Sequence, residues 1–218
     1  TPGMSPSIKE KASYWKLDKV DFKDRSVLDI GTWDGGFSFY ADKHGASDIT
    51  SIDLWGAKDG GMELGEDLLL SSTLDAQWGS RACFEFAAKV LNSKAKPQVM
   101  NVYDVCPEKL KKFDIVMFFG VLYHLRHPML ALEKIRTVVK DGGTLLLETL
   151  ISPPVFMAGD NDCLMQFFPG GLNGDPTTFC APTTKCLTHL LNSAGFSVNK
   201  LTIPSKESNR AFCTCSAI

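Results

Sequence analysis

No uninterrupted apolar stretch in this sequence approaches the roughly 18 residues needed to span a bilayer. The first twenty residues are mixed and charged, which excludes a signal peptide there. A cytoplasmic location and no membrane contact are expected. Charge of one sign is also missing. With 23 Lys and Arg against 25 Asp and Glu, the formal charge is −2. That balance excludes a broad polyanion-binding face. The seven cysteines form no C-x-x-C pair, and an odd number fits no closed disulfide framework. Buried free thiols in a reducing compartment are expected, with Cys213 and Cys215 on one face of a strand and Cys83 in a helix. His124 and His127 stand three apart, but no second ligand pair has suitable spacing, so no metal site is expected. Repeats and low-complexity tracts are absent. The 218 residues, 44% hydrophobic, suffice for one well-buried domain.

The chain is organised around residues 27–36, Val-Leu-Asp-Ile-Gly-Thr-Trp-Asp-Gly-Gly. Val27 to Ile30 reads as a buried strand, followed by a glycine turn and a helix from Phe37. Glycine permits a sharp turn and close approach of a ligand to the main chain. The helix start offers unpaired N–H groups. A second strand, Ile49 to Asp53, ends in an acid 22 positions after Gly31. An acid at that spacing is placed to bind a ribose diol. The G-x-G-x-x-G of a dinucleotide loop is lacking. Trp33 and Asp34 stand inside the turn instead, and an acid there repels a pyrophosphate. It suits a cationic ligand, such as the ammonium and sulfonium of S-adenosylmethionine.

Ser5 to Val20 reads as a helix, either packed at the sheet edge or forming a lid with Trp15 and Lys16 reaching inward. Residues 56–65 form a glycine-rich connection, and residues 64–77 are partly helical by pattern. Ser80 to Asn92 is a helix whose apolar stripe is Cys83, Phe86, Ala87, Val90 and Leu91. Pro97 to Val102 is the third strand. Lys112 to Gly120 is the fourth, and its continuous apolar run suits a strand buried on both faces. Pro128 starts a helix that Asp141-Gly142-Gly143 ends, and Thr144 to Leu150 is the fifth strand. Residues 151–182 are rich in Pro, Gly, Phe and Met, and read as an ordered cover over a pocket. A helix from Thr183 to Ala194, stopped by Gly195, precedes two closing strands, Phe196 to Ile203 and Arg210 to Ser216.

The D-x-G-x-x-x-G pattern of Asp29, Gly31 and Gly35, with Asp53 and the Phe113–His124 stretch, resembles the class I S-adenosylmethionine-dependent methyltransferases. The resemblance covers Val20 to the C-terminus. It implies an α/β fold, a Rossmann-like seven-stranded mostly parallel sheet of order 3-2-1-4-5-7-6 with strand 7 antiparallel. Residues 1–20 would then be a lid helix and residues 21–218 the methyltransferase domain, with 151–182 a substrate-side insert. Trp15-Lys16-Leu17-Asp18-Lys19-Val20, Gly120-Val121-Leu122-Tyr123-His124 and Leu147-Glu148-Thr149-Leu150 are similar to the branch containing the tRNA wobble-uridine carboxymethyltransferase. That branch member uses carboxy-S-adenosylmethionine, whose added carboxylate Lys16, Tyr123 and Arg210 would hold. Its N-terminal region, which carries one more basic ligand, has no counterpart in this sequence.

The resemblance implies a role for each position. The loop Gly31, Thr32, Trp33 and Gly35 would face the methionine part, with Asp29 receiving its ammonium. Asp53 would bind the ribose, Leu54 would pack on adenine, and Tyr103 and Asp104 would lie at its amine. Phe119 and Gly120 would form the floor. Trp15 would close the cofactor from the lid. Tyr123, His124 and Glu148 are the candidate catalytic groups. Asp104 reads equally as a turn residue, Tyr123 and His124 as packed rings, and Asp34 as a helix cap. The expected function is methyl transfer from S-adenosylmethionine to a small molecule. A tRNA carboxymethyltransferase and a non-catalytic cofactor-binding subunit are the alternatives.

Overall fold

The computed structural model describes residues 7–55, 81–152, 163–172, 174–204 and 208–218. The expected connection over 56–65 and the helical stretch over 64–77 fall outside these residues. The strands are β1 (Ser26–Ile30), β2 (Asp48–Asp53), β3 (Lys96–Val99), β4 (Phe113–Phe119), β5 (Val139–Leu150), β6 (Met165–Phe167), β7 (Cys180–Pro182), β8 (Phe196–Thr202) and β9 (Arg210–Ala217). The helices are α1 (Ile8–Tyr14), α2 (Gly36–Lys43), α3 (Arg81–Val90), α4 (Pro128–Val138) and α5 (Thr184–Ser193).

Seven strands form one sheet of order β3-β2-β1-β4-β5-β9-β8. The first five are parallel, and β9 runs antiparallel between β5 and β8. This is the expected arrangement, with β8 and β9 as the sixth and seventh strands of the sheet. Strand alternation divides the core into two layers. Val27, Ile115, Met117, Phe119, Leu146 and Phe212 face α1, α2 and α3. Leu28, Ile30, Val116, Phe118, Leu147, Cys213 and Cys215 face α4 and α5. Among the described residues, no helix is long and apolar enough to cross a membrane.

Four local expectations need correction. The N-terminal helix is shorter than read. Ser7 caps α1 in a reciprocal capping box with Glu10. The chain then turns left-handed at Lys16 (φ 58°) into a 3₁₀ turn, Leu17–Lys19. That turn drops Leu17 fully into the core. The stripe assigned to α3 faces the wrong way. Phe84 is the buried residue, packed on Phe39 and Trp55, while Phe86, Val90 and Leu91 are exposed. The aromatic pocket beside α2 selects the larger contact. Cys83 and Cys163 are exposed, so not every thiol is a buried one. Finally, α4 passes straight into β5 at Val139, which pairs with Phe113. The β-branched pair Val138-Val139 changes the backbone before Asp141-Gly142-Gly143 is reached.

Asp114 ties the starts of β1, β4 and β5 together. Its Oδ2 accepts from Ser26 N at 2.9 Å, Ser26 Oγ at 2.6 Å and Lys140 Nζ at 2.8 Å. Burial opposes the charge, but the Lys140 and Ser26 bonds outweigh it and hold the carboxyl well below its ordinary 3.8. Asp114→Ala should therefore cost about 1–2 kcal/mol at pH 7, after discounting for partial solvent access. The folded value is depressed, so the stabilisation is present above the ordinary value and fades as pH falls below it. Urea unfolding of both proteins from pH 7 to pH 2.5 checks this. The two curves should converge on the acid side.

Candidate functional site: the carboxyl ends of β1, β2, β4 and β5

Asp29 sits in the middle of the site and is almost completely buried. Its Oδ2 accepts from Thr32 Oγ1 and from Ser38 Oγ, each at 2.7 Å. Ser38 Oγ also lies 2.7 Å from Ser51 Oγ on β2. Burial pushes the carboxyl up to about 6, against the pull of the Ser38 and Thr32 hydroxyls. Asp29 therefore binds the loop to α2 and β2 from beneath. The sequence showed Asp29 and Thr32 but not Ser38 or Ser51. A polar residue in the first turn of an otherwise apolar helix was the available signal.

The loop above it is held open by backbone geometry. Gly31 (φ 73°) donates to Ile52 O at 2.9 Å, and a Cβ there would meet Val121 Cγ2 at 2.3 Å. Gly35 (φ 87°), rather than Asp34, occupies the cap position of α2. Trp33 also has positive φ, 55°, and is half exposed. This conformation aims Trp33 N at Asp53 Oδ2, 2.7 Å away. Leu54 N donates to the other oxygen, Oδ1, also at 2.7 Å. Burial raises the Asp53 carboxyl while both backbone bonds oppose it.

Further out, the expected adenine side is looser. The Tyr103 hydroxyl accepts from His127 N at 3.1 Å. Asp104 is exposed and pairs with Lys109 at 3.5 Å, as a turn residue would. Lys16 is exposed at its left-handed turn, while Trp15 is half-buried. Trp15 stacks at 5.2 Å on Phe37 and at 5.8 Å on Phe212, with Phe119 at 5.1 Å.

A second polar group gathers at the tips of β4 and β5. Gly120 (φ 71°) donates to Glu148 O at 3.0 Å. A Cβ on Gly120 would lie 3.7 Å from the Tyr123 hydroxyl and 3.8 Å from Glu148 Oε2. Glu148 is buried, and its Oε1 lies 3.4 Å from Arg210 Nη1. The Arg210 guanidinium lies over the Tyr123 ring, 4.5 Å from its centroid. Burial raises the Glu148 carboxyl, opposed first by Arg210 and then by Lys11 of α1. Burial also raises Tyr123, and Arg210 again opposes it. Lys11 is a cation that sequence reasoning missed. It lies four positions before Trp15, on the same helix face, which was the legible clue.

The insert closes over these tips. β6 pairs with β7 in a separate two-stranded sheet. Phe168 and Ala181 pack on Tyr123 and Leu150. Phe179 N donates to Tyr123 O at 2.8 Å. His124 Nδ1 lies 2.9 Å from both Thr177 O and Thr177 Oγ1. A carbonyl only accepts, so Nδ1 carries the proton. Burial lowers the His124 pKa, against the pull of the Thr177 carbonyl and Asp175.

These features match known proteins at the level of family. Residues 9–201 match the methyltransferase domain family. The chain belongs to this family, and its fold is that of the S-adenosylmethionine-dependent methyltransferases. It is 31% identical over 162 residues to the tRNA U34 carboxymethyltransferase of Idiomarina loihiensis, which covers 72% of this chain and 42% of that protein. The chain thus spans less than half the length of that relative. Among solved structures it is similar to an S-adenosylmethionine-dependent methyltransferase of Mesorhizobium loti, with TM-score 0.64 and 14% identity, over 98% of this chain and 100% of that one. It is also similar to the magnesium protoporphyrin IX methyltransferase of Synechocystis with bound SAH (S-adenosylhomocysteine), with TM-score 0.62 and 14% identity, over 97% and 82%.

The two tip glycines should respond differently to alanine. Gly120→Ala meets only the backbone strain of positive φ, about 1–2 kcal/mol. Gly31→Ala adds a clash with Val121 and should cost more, about 2–4 kcal/mol. Urea unfolding orders the two, and equal losses would contradict the close approach at Gly31.

Proposed function

We propose that this chain transfers the methyl group of S-adenosylmethionine to a small-molecule acceptor. Asp53 carries the reading. Each of its oxygens already accepts one backbone N–H. An ionised carboxylate has about four acceptor positions, so two bonds leave capacity for a ribose diol. Gly31 and Gly35 hold the loop at positive φ beside it, with Val121 packed on Gly31 and Phe39 and Phe84 on Gly35, and the methionine part would lie along this loop. Asp29, behind the loop, supplies negative charge toward the ammonium. Leu54 flanks the adenine with Tyr103, and Phe119 and Gly120 form the floor beneath the transferable methyl. Transfer then depends largely on positioning the acceptor in line behind that methyl.

The charge balance at Gly120 supports the uncarboxylated cofactor. Arg210 is already paired with the buried Glu148, and Lys16 is exposed. A further carboxylate would have to compete for Arg210 and would lose hydrogen bonds in a dry pocket. The formal charge of −2 supports a small acceptor over a polyanion. The free cysteines support a reducing compartment such as the cytoplasm. A second reading, carboxymethyl transfer to tRNA, is favoured by one observation besides its relatives' names. The Arg210 guanidinium lies over the Tyr123 ring and the Tyr123 hydroxyl stands beside Gly120, and a cofactor carboxylate there could use both.

Asp53→Ala should weaken S-adenosylmethionine binding about 10–150-fold, from the loss of ~1.5–3 kcal/mol of charged hydrogen bonding. Isothermal calorimetry measures it, and unchanged affinity would remove the ribose assignment.

Protein purified from a host that makes both cofactor forms can be weighed by native mass spectrometry. The bound ligand should have the mass of S-adenosylmethionine or S-adenosylhomocysteine. A predominantly carboxylated ligand would replace this reading with the second one.

A further inference from the structure

This inference rests on the methyl-transfer reading. We propose that His124 is the general base that takes a proton from the acceptor, and that Thr177 and Asp175 of the insert are its positioning residues. The argument begins at Asp175, whose Oδ1 accepts from Thr177 N at 2.8 Å and from Thr177 Oγ1 at 2.5 Å. An ionised carboxylate donates nothing, so the threonine hydroxyl spends its proton on Asp175. Thr177 Oγ1 is then an acceptor toward His124, as the Thr177 carbonyl already is. Both contacts demand a proton on Nδ1. The tautomer is fixed twice over, and Nε2 is left with its lone pair.

The remaining charged surroundings are consistent with a base. Asp175 favours the imidazolium and Arg210 disfavours it, with burial the larger influence. The Tyr123 ring lies 4.1 Å away, under Arg210, which is itself paired with Glu148. His124 also follows directly on the Gly120–Tyr123 tip that faces the transferable group. In the transfer step, Nε2 accepts the acceptor's proton as the acceptor atom bonds the methyl carbon. The sulfur–methyl bond breaks and its electron pair stays on sulfur. The charge lost from the sulfonium reappears on the imidazolium, which returns its proton to water. The acceptor is therefore a molecule whose nucleophilic atom carries a proton, a hydroxyl or an N–H. A thioether or tertiary amine needs no such base.

Diethyl pyrocarbonate, which acylates neutral imidazole, tests this without an acceptor in hand. Peptide mapping follows each of the four histidines of the folded chain separately. His124 should react, with a pH midpoint below 6.5. Asp175→Asn removes the carboxylate that favours the charged ring, so the midpoint should move further to acid. Thr177→Val should reduce the Nδ1–H population seen by ¹⁵N NMR, and Thr177→Ser should restore it. Saturating S-adenosylmethionine should slow His124 acylation several-fold and leave His189 unchanged. An unreactive His124, a midpoint indifferent to Asp175→Asn, or no protection by cofactor that calorimetry shows to be bound would each overturn the proposal. Should calorimetry show no cofactor binding at all, the methyl-transfer reading fails instead, and the base assignment falls with it.

Discussion

A buried carboxylate held by hydroxyls governs the architecture of this site. Asp29 lies on β1, an interior strand of the sheet, where an unpaired charge would be costly to bury. Hydroxyls meet that cost. Thr32 comes from the loop, Ser38 from the first turn of α2, and Ser51 from the neighbouring strand through Ser38. Each bond fixes one wall of the crevice. The loop holds Gly31, Trp33 and Gly35 at positive φ, and in that conformation Trp33 N donates to Asp53. The exposed binding edge is thus set from below, by groups that a ligand need not touch.

The same logic explains why one half of the site was legible in the sequence and the other was not. Asp29, Gly31, Gly35 and Asp53 are neighbours through local strand–loop–helix geometry, so their spacing carries their placement. The strands themselves were legible as apolar runs alternating with helices, and their order in the sheet came from the family resemblance. The Glu148, Arg210, Tyr123 and Lys11 group is different. It is assembled across the pairing of β5 with β9 and the packing of α1, at separations that no short motif encodes. Arg210 could be named, but its engagement with Glu148 depends on the register that sets Glu148 opposite Phe212. Lys16 stands at the left-handed residue that follows α1 and is exposed, while Lys11 within α1 is a cation that acts on Glu148. In α3, period alone chose a face, and the aromatic pocket of Phe39 and Trp55 chose another.

Two regimes of electrostatics therefore meet at one crevice. On the β1–β2 side, among the described residues, hydroxyls donate to Asp29 and backbone N–H groups to Asp53. At the β4–β5 tips, opposite charges compensate one another around a glycine. A ligand spanning both would have its cationic and sugar parts toward the first and its reacting end toward the second.

The way the insert is fastened has a consequence for inheritance. Phe179 is held through the Tyr123 carbonyl, Ser152 through the Pro182 carbonyl, Thr183 through the Leu164 carbonyl, and His124 through the Thr177 carbonyl. Every residue type offers a carbonyl. The cover can therefore exchange many of its side chains over generations while staying attached to the same platform. Lineages that share this sheet are free to diverge in what they modify, with the changes concentrated where attachment depends least on residue identity.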